Sequence, residues 1–172
     1  MTESIVNKVE QSGIITINPE EFKPSLSAVD SIDLKPFLFQ ELILKEKDFR
    51  EQLHATDFSS YAEKIVFLYC SADAIIPNWA YMLLTSALLP FAKEIHFGKP
   101  ETWIEEQWIN NIKNKLDVSS FTNRRVVIKG CGDDPIPVSV YVTITSMLQA
   151  EVQSLMYGEP CSTVPVYKKK KL

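Results

Sequence analysis

Three cysteines have the clearest capacity for chemistry in this sequence, because a thiolate is both a nucleophile and a soft metal ligand. Cys70, Cys131 and Cys161 each lie at the end of an apolar stretch or shortly after one. Lys129 precedes Cys131 by two residues, and in an extended strand these two side chains share a face, so the lysine charge favours the thiolate. No CxxC pair and no Cys–His spacing occurs, which excludes a structural zinc finger and leaves a three-thiol site open.

The loops around these cysteines define the candidate site. We predict a thiol-centred site whose metal ligands are Cys70, Cys131 and Cys161. The residues predicted to hold a bound cofactor are Lys129, Cys131, Asp133 and Ser162. Zinc, iron or an iron–sulfur species is the expected occupant, while catalytic residues and enzymatic activity are left unassigned. In the alternative interpretation each cysteine is a small buried apolar residue, and Asp73 and Asp133 serve only as turn or capping residues.

Strands that alternate with helices position these loops. Strands are predicted at 13–18, 38–44, 64–70, 94–98, 125–129 and 154–157, and helices at 45–54, 77–89, 101–116 and 137–152. This pattern predicts an α/β fold with a mostly parallel sheet of about five strands, covered by helices on both faces. Ligands bind at the carboxyl ends of parallel strands, and the cysteine loops all fall at that edge.

The sequence also resembles itself at an offset of sixty residues. Residues 57–100 and 117–160 share thirteen identities over 44 positions, where about three are expected by chance. We predict a duplicated βαβ unit whose two copies lie in one sheet. In this interpretation residues 1–36 are an amino-terminal extension with a short strand and a loop, 37–160 are a single α/β domain, and 161–172 are a carboxyl-terminal tail.

Composition excludes several classes of function. Lys and Arg number 18 against 22 Asp and Glu, giving a net charge of -4 that argues against a nucleic-acid partner. An odd number of cysteines in a chain of 172 residues favours a reducing compartment, and the amino terminus shows no export signal, so we expect a cytoplasmic protein. No phosphate-binding glycine loop, nucleophile elbow or zincin motif is present.

Residues 74–92 contain no charged side chain, although Pro77 and Pro90 interrupt them and favour a buried helix over a membrane span. The helix predicted from Pro137 is almost free of charge as well. Helices without a polar face need cover on both sides, either from the amino-terminal extension or from a second subunit, and a twofold dimer is the commonest closed arrangement. We therefore expect a homodimer and no membrane partner.

Four segments resemble a known family. They are LFQELILKEKDFR (38–50), CSADAIIPNWAYMLL (70–84), KGC (129–131) and GEPCSTVPVYK (158–168), and together they resemble the bacterial family called domain of unknown function 2480. The resemblance covers nearly the whole chain. It implies a small cytosolic protein with no assigned activity. Gene proximity to iron–sulfur assembly genes in that family points toward sulfur or metal handling and a protein partner in iron–sulfur assembly.

Two hypotheses of different classes follow. In the first, the protein binds a metal or handles sulfur or an iron–sulfur species through its thiols at the carboxyl edge of the sheet. In the second, it is a non-catalytic homo-oligomeric interaction module, and the same edge merely closes the fold. Metal content and the proximity of the cysteines discriminate between the two.

Overall fold

The computed structural model describes residues 13–25, 28–130, 132, 135–159 and 162–170. The chain folds as two compact units, a central unit of Ser25–Trp103 and a split unit of Met1–Pro24 with Ile104–Leu172. In sequence, the central unit is therefore inserted into the split unit. Within the described ranges, no helix has the length and apolar character needed to cross a bilayer.

The described residues form seven strands and four α-helices. The strands are β1 (Ile14–Ile17), β2 (Val29–Asp33), β3 (Ile65–Tyr69), β4 (Glu94–Phe97), β5 (Arg125–Ile128), β6 (Ser154–Glu159) and β7 (Ser162–Lys168). The helices are α1 (Glu46–Ala55), α2 (Asn78–Leu88), α3 (Pro100–Lys115) and α4 (Val138–Leu148). Short 3-10 helices occur at Pro19–Phe22, Lys35–Phe37, Ser59–Tyr61 and Val118–Phe121.

The central unit contains a three-stranded parallel sheet of order β2-β3-β4. β3 is a continuous apolar run, IVFLY, as expected of a strand that is buried on both faces. On one face, Val66 and Leu68 belong to the same buried cluster as residues of α1 and α2. On the other face, Phe67 contacts Trp103 at the start of α3, with ring centroids 5.8 Å apart.

The split unit contains a four-stranded sheet of order β1-β5-β6-β7. The first three strands are parallel, and β7 returns antiparallel to β6. Val126 and Leu155 are buried with residues of α3 and α4, including Trp108 and Ile144. Each unit therefore has its own hydrophobic core.

The α/β class is confirmed, but the single sheet of about five strands is wrong. The two sheets have three and four strands, and residues 57–100 and 117–160 do not share a sheet. The reason lies in β1 and β2: β1 was expected as a short strand of an amino-terminal extension outside the sheet, and β2 falls in the predicted loop. Each of them pairs with the first strand of a different βαβ segment, β1 with β5 and β2 with β3. Short strands of four or five residues give weak sequence signals, and tertiary context selects their partners.

Two further local predictions are wrong. Residues 38–44 do not form a strand; Phe39 and Ile43 make an isolated bridge around a turn in which Gln40 and Glu41 have positive φ. Left-handed backbone at two successive residues is incompatible with a strand. The segment predicted to be a tail contains β7. A strand signal was present there, since the exposed Val164 and Val166 are two residues apart, as in a strand with one face toward solvent.

Candidate functional site

A cavity of about 600 Å³ opens at the carboxyl edge of the sheet in the central unit. It lies where β3 ends, next to the first turn of α2 and the last residue of β4. Its walls are mainly apolar and aromatic, and they consist of Tyr69, Cys70, Ala72, Ala74, Ile76, Asn78, Tyr81 and Phe97. This is the edge at which open parallel sheets bind ligands.

Cys70 supplies the thiol of this cavity. The residue is half-buried and is not part of a disulfide, and its Sγ contacts the carbonyl oxygen of Ala72 at 3.8 Å. It directly follows β3, so the strand fixes its backbone while the following loop shapes the space in front of the sulfur. A thiol in this position is accessible to a small molecule that enters the cavity.

The loop after Cys70 is held to the neighbouring strand by Asp33. Asp33 accepts hydrogen bonds from the backbone N–H of Ser71 at 2.9 Å and from its hydroxyl at 2.5 Å, and a third from the N–H of Lys35. Partial burial opposes ionisation of this carboxyl, but the hydrogen bonds outweigh it and the pKa of Asp33 lies below its ordinary value. The carboxylate therefore positions one wall of the cavity.

Tyr81 and Phe97 form the aromatic wall. Their rings meet edge to face, with centroids 5.1 Å apart. Burial raises the pKa of the Tyr81 hydroxyl, and the neighbouring Cys70 and Asp33 add to the shift, so this hydroxyl is neutral at physiological pH. Phe97 is 77% exposed and Ile75 of the adjacent loop is 94% exposed, which leaves the rim of the cavity apolar.

Pro77 is the amino-terminal cap of α2 and makes no side-chain capping hydrogen bond. The α-helix of the split unit that follows Pro137 begins in the same way. In the central unit the exposed Asp73 therefore does not provide the cap of α2. The capping part of the Asp73 interpretation is therefore wrong for α2, and the turn part stays a prediction.

A second, smaller depression of about 280 Å³ shares Tyr69 with the cavity. Its other walls are Ser31, Ser71, Lys99, Pro100 and Glu101. Lys99 and Glu101 bring opposite charges to it, so the depression has no single preferred ligand charge.

The carboxyl edge of the split unit has a different local structure. Tyr141 donates a hydrogen bond to the carbonyl of Lys129, and Tyr157 donates one to the carbonyl of Gly130, each at 3.3 Å. The two tyrosine rings meet edge to face at 5.4 Å. A Cβ atom on Gly130 would lie 2.6 Å from Cζ of Tyr157, so the ring is seated directly on the glycine.

The residues predicted from sequence are distributed over both units. Cys70 belongs to the central unit, while Lys129 and Ser162 belong to the split unit. Lys129 is half-buried and follows β5, where its N–H donates to the carbonyl of Ile17 at 2.9 Å. Ser162 is exposed and begins β7. Cys131, Cys161 and Asp133 lie outside the described residues, so the proposed three-thiol cluster has one described member.

No group of three or more His, Cys, Asp or Glu side chains suited to a metal occurs in the part of the chain that the structure describes. The most informative cavity residues, Tyr69, Tyr81 and Phe97, were not predicted as site residues. Tyr81 had one sequence signal, since Tyr141 recurs sixty residues later, but aromatic residues at helical spacing are more often core residues.

The chain matches the family described as "Protein of unknown function (DUF2480)" over residues 3–169. It therefore belongs to this family, which confirms the resemblance seen in the sequence. No curated protein and no solved structure matches the chain.

Proposed function

We propose that this protein binds a small molecule in the cavity at the carboxyl edge of β2-β3-β4, with the Cys70 thiol as one of the groups that contact it. The observation that carries the proposal is the position of a half-buried thiol in the wall of a cavity of about 600 Å³. That volume lies within the range of small-molecule sites, which are mostly apolar with a few placed polar groups. Here the polar groups are the thiol, the Asn78 amide and the hydroxyls of Tyr69 and Tyr81.

The cavity is supported by rigid elements. Cys70 follows a buried strand, Tyr81 lies on the helix that packs on that strand, and Asp33 fixes the intervening loop. Binding groups that are held by strands and helices lose little conformational freedom when a ligand binds.

A filled-cavity variant tests this proposal. Ala74→Phe places a ring in the cavity, and Ala150→Phe adds the same ring at an exposed position of the other unit. We expect the wild type and A150F to retain at least one small molecule from a cell extract after ultrafiltration and mass spectrometry, and A74F to lose it. Retention of the same molecules by folded A74F, or of none by the wild type, contradicts the proposal.

The metal-binding form of the thiol hypothesis is a separate proposal, since it depends on Cys131 and Cys161. Three thiolates around one ion are the soft ligand set that zinc and iron–sulfur species prefer. Elemental analysis of untagged protein purified without air tests it. Stoichiometric zinc or iron that is lost in Cys131→Ser supports it, and metal-free protein contradicts it.

We further infer that the two βαβ segments are copies of one unit. Support comes from elements that recur at the same offset of sixty: β4 pairs with β3 as Ile65↔Glu94, and β6 pairs with β5 as Arg125↔Ser154. The helices also recur at that offset, from Asn78–Leu88 to Val138–Leu148.

Homodimer formation is a further proposal. Its support is the exposed apolar side chains of the split unit, Val138 and Val142 on α4 and Val164 and Val166 on the edge strand β7. Exposed apolar side chains on an edge strand and on a helix of the same unit favour self-association. Light scattering over micromolar concentrations tests it, and a mass near 19.6 kDa throughout contradicts it.

A further inference from the structure

Tyr157 indicates which chemical group the Cys70 cavity accepts. The ring of Tyr157 rests on Gly130, meets Tyr141 edge to face at 5.4 Å, and donates its hydroxyl hydrogen bond to the Gly130 carbonyl at 3.3 Å. At the carboxyl edge of the split unit, the phenol ring of the Tyr157 side chain thus lies over Gly130.

The corresponding positions of the central unit differ in the residue beneath the ring. Sixty residues earlier, Tyr141 corresponds to Tyr81 and Tyr157 to Phe97, and these rings also meet edge to face. Gly130, however, corresponds to Cys70, so the residue at this position carries a side chain in the central unit.

The aromatic residue of the central unit is accordingly more exposed. Phe97 is 77% exposed, whereas Tyr157 is 41% exposed. Phe97 lines the cavity instead of closing it. Where Tyr157 covers Gly130 in the split unit, the central unit thus has a cavity that is lined by both Phe97 and Cys70.

The walls of the cavity restrict its occupant further. Among the described residues, those that line the cavity include no Asp, Glu, Lys or Arg. A charged group inside would lose its hydration without a counter-charge, which costs several kcal/mol in general. Aromatic walls instead favour a flat ring by edge-to-face contact, and a thiol sulfur contacts ring edges favourably.

We infer that the Cys70 cavity binds an uncharged aromatic ring with a hydroxyl group, a phenol-type ligand, whose ring packs against Tyr81 and Phe97. The inference rests on the proposed function, since it names the ligand class of that same cavity. Recognition is non-covalent: the ring lies beside the sulfur, and the hydroxyl finds the same kind of backbone acceptor that the Tyr157 hydroxyl has in Gly130.

Two matched probes test the ligand class. p-Cresol carries the ring and hydroxyl of a tyrosine side chain, and 4-methylcyclohexanol has a similar size and the same hydroxyl without the aromatic ring. In a Cys131→Ser/Cys161→Ser background, Cys70 is the remaining thiol of the chain. We expect saturating p-cresol to slow alkylation of Cys70 by iodoacetamide at least threefold, and 4-methylcyclohexanol to leave the rate unchanged.

The outcomes separate this inference from the proposed function. Equal protection by both probes overturns the aromatic preference and leaves the cavity as a binding site. Protection by neither probe also overturns it, and the retention experiment with A74F then decides independently whether the cavity binds anything.

Tyr157→Ala gives a second measurement in the other unit. Removal of the ring vacates its seat on Gly130, so this variant is expected to bind two p-cresol molecules where the wild type and Tyr157→Phe bind one. Ligand-observed NMR titration with the folded variants measures the stoichiometry. A single p-cresol site in Tyr157→Ala overturns the correspondence on which the ligand class rests.

Discussion

The carboxylate of Asp33 accepts two hydrogen bonds from Ser71, a residue 38 positions later in the chain. Asp33 ends β2, and Ser71 follows the cavity cysteine. The pair therefore joins the carboxyl end of one strand to the loop that leaves the next. Because that loop carries three of the cavity-lining residues, the pair couples the stability of the sheet to the shape of the cavity.

Asp33→Asn is expected to weaken this connection. An amide replaces one accepting oxygen with a donor, so one or more hydrogen bonds are lost and the free energy of unfolding falls by about 1–3 kcal/mol. We also expect faster alkylation of Cys70, because the loop in front of the sulfur opens more often. Urea unfolding and alkylation kinetics measure the two effects.

Asp57→Asn is the matched control, since Asp57 makes the same pair of hydrogen bonds to Ser59 in an exposed turn away from the cavity. It is expected to leave the alkylation rate of Cys70 unchanged. An equal acceleration in both variants would contradict a specific role for Asp33.

Acid is expected to destabilise the central unit through Asp30 and Asp33. The hydrogen bond from Lys64 lowers the pKa of Asp30 below its ordinary 3.8, and the pKa of Asp33 is also lowered. A lowered pKa in the folded state contributes stability above the unfolded value, and this contribution is lost as pH falls through the folded pKa. The free energy of unfolding should thus fall below about pH 4.

Urea unfolding of the wild type and of Asp30→Asn/Asp33→Asn between pH 2 and 6 checks this linkage. The double variant is expected to be less stable at pH 6 and to show a smaller loss toward pH 2 than the wild type. Parallel stability curves for the two proteins would show that other carboxyl groups control the acid response.

Gly98 and Gly158 allow a comparison of what a side chain would cost at the carboxyl edges of the two sheets. Both have positive φ, 106° and 119° respectively. A Cβ on Gly98 would meet no atom within 4 Å, whereas a Cβ on Gly158 would lie 2.6 Å from the backbone oxygen of Ser162. Gly98→Ala is expected to cost about 1–2 kcal/mol of backbone strain, and Gly158→Ala about 2 kcal/mol more.

Chemical denaturation of both variants measures this difference. Equal losses of stability would show that the backbone at Ser162 moves to accommodate the added methyl group. The larger loss is expected at Gly158 because the atom that the methyl group meets belongs to the backbone. A flexible side chain in that place would move aside at little cost.

Much of the secondary structure was predictable from the sequence. Continuous apolar runs such as 65–69 and 126–128 have strong strand signals, and Pro77 and Pro137 mark the starts of α2 and α4. The partners of the strands were not predictable in the same way, because β1 and β2 are short. Only their observed pairing, β1 with β5 and β2 with β3, shows that they belong to two separate sheets.

The candidate site was predictable at the level of its edge and its thiol. Cys70 lies in the cavity wall at the end of a parallel strand, as the topology argument placed it. The aromatic wall was missed because Phe97 ends an edge strand of four residues, and the exposure of an aromatic side chain on so short a strand depends on tertiary packing.

Trp108 is expected to attach the first described segment to the core of the split unit. Its indole N–H donates to the carbonyl of Pro19 at 2.8 Å, and the side chain is 2% exposed. Trp108→Phe removes the donor, leaves that buried carbonyl without its partner, and creates a small cavity. We expect a loss of about 2–4 kcal/mol in the free energy of unfolding. Amide hydrogen exchange should accelerate most in β1, because Pro19 lies two residues after its last residue and β1 lies at the edge of its sheet. Trp79→Phe, a half-buried indole in the central unit, is the control and is expected to leave exchange in β1 unchanged. Unaltered exchange in β1 of Trp108→Phe would show that pairing with β5 alone holds the strand in place.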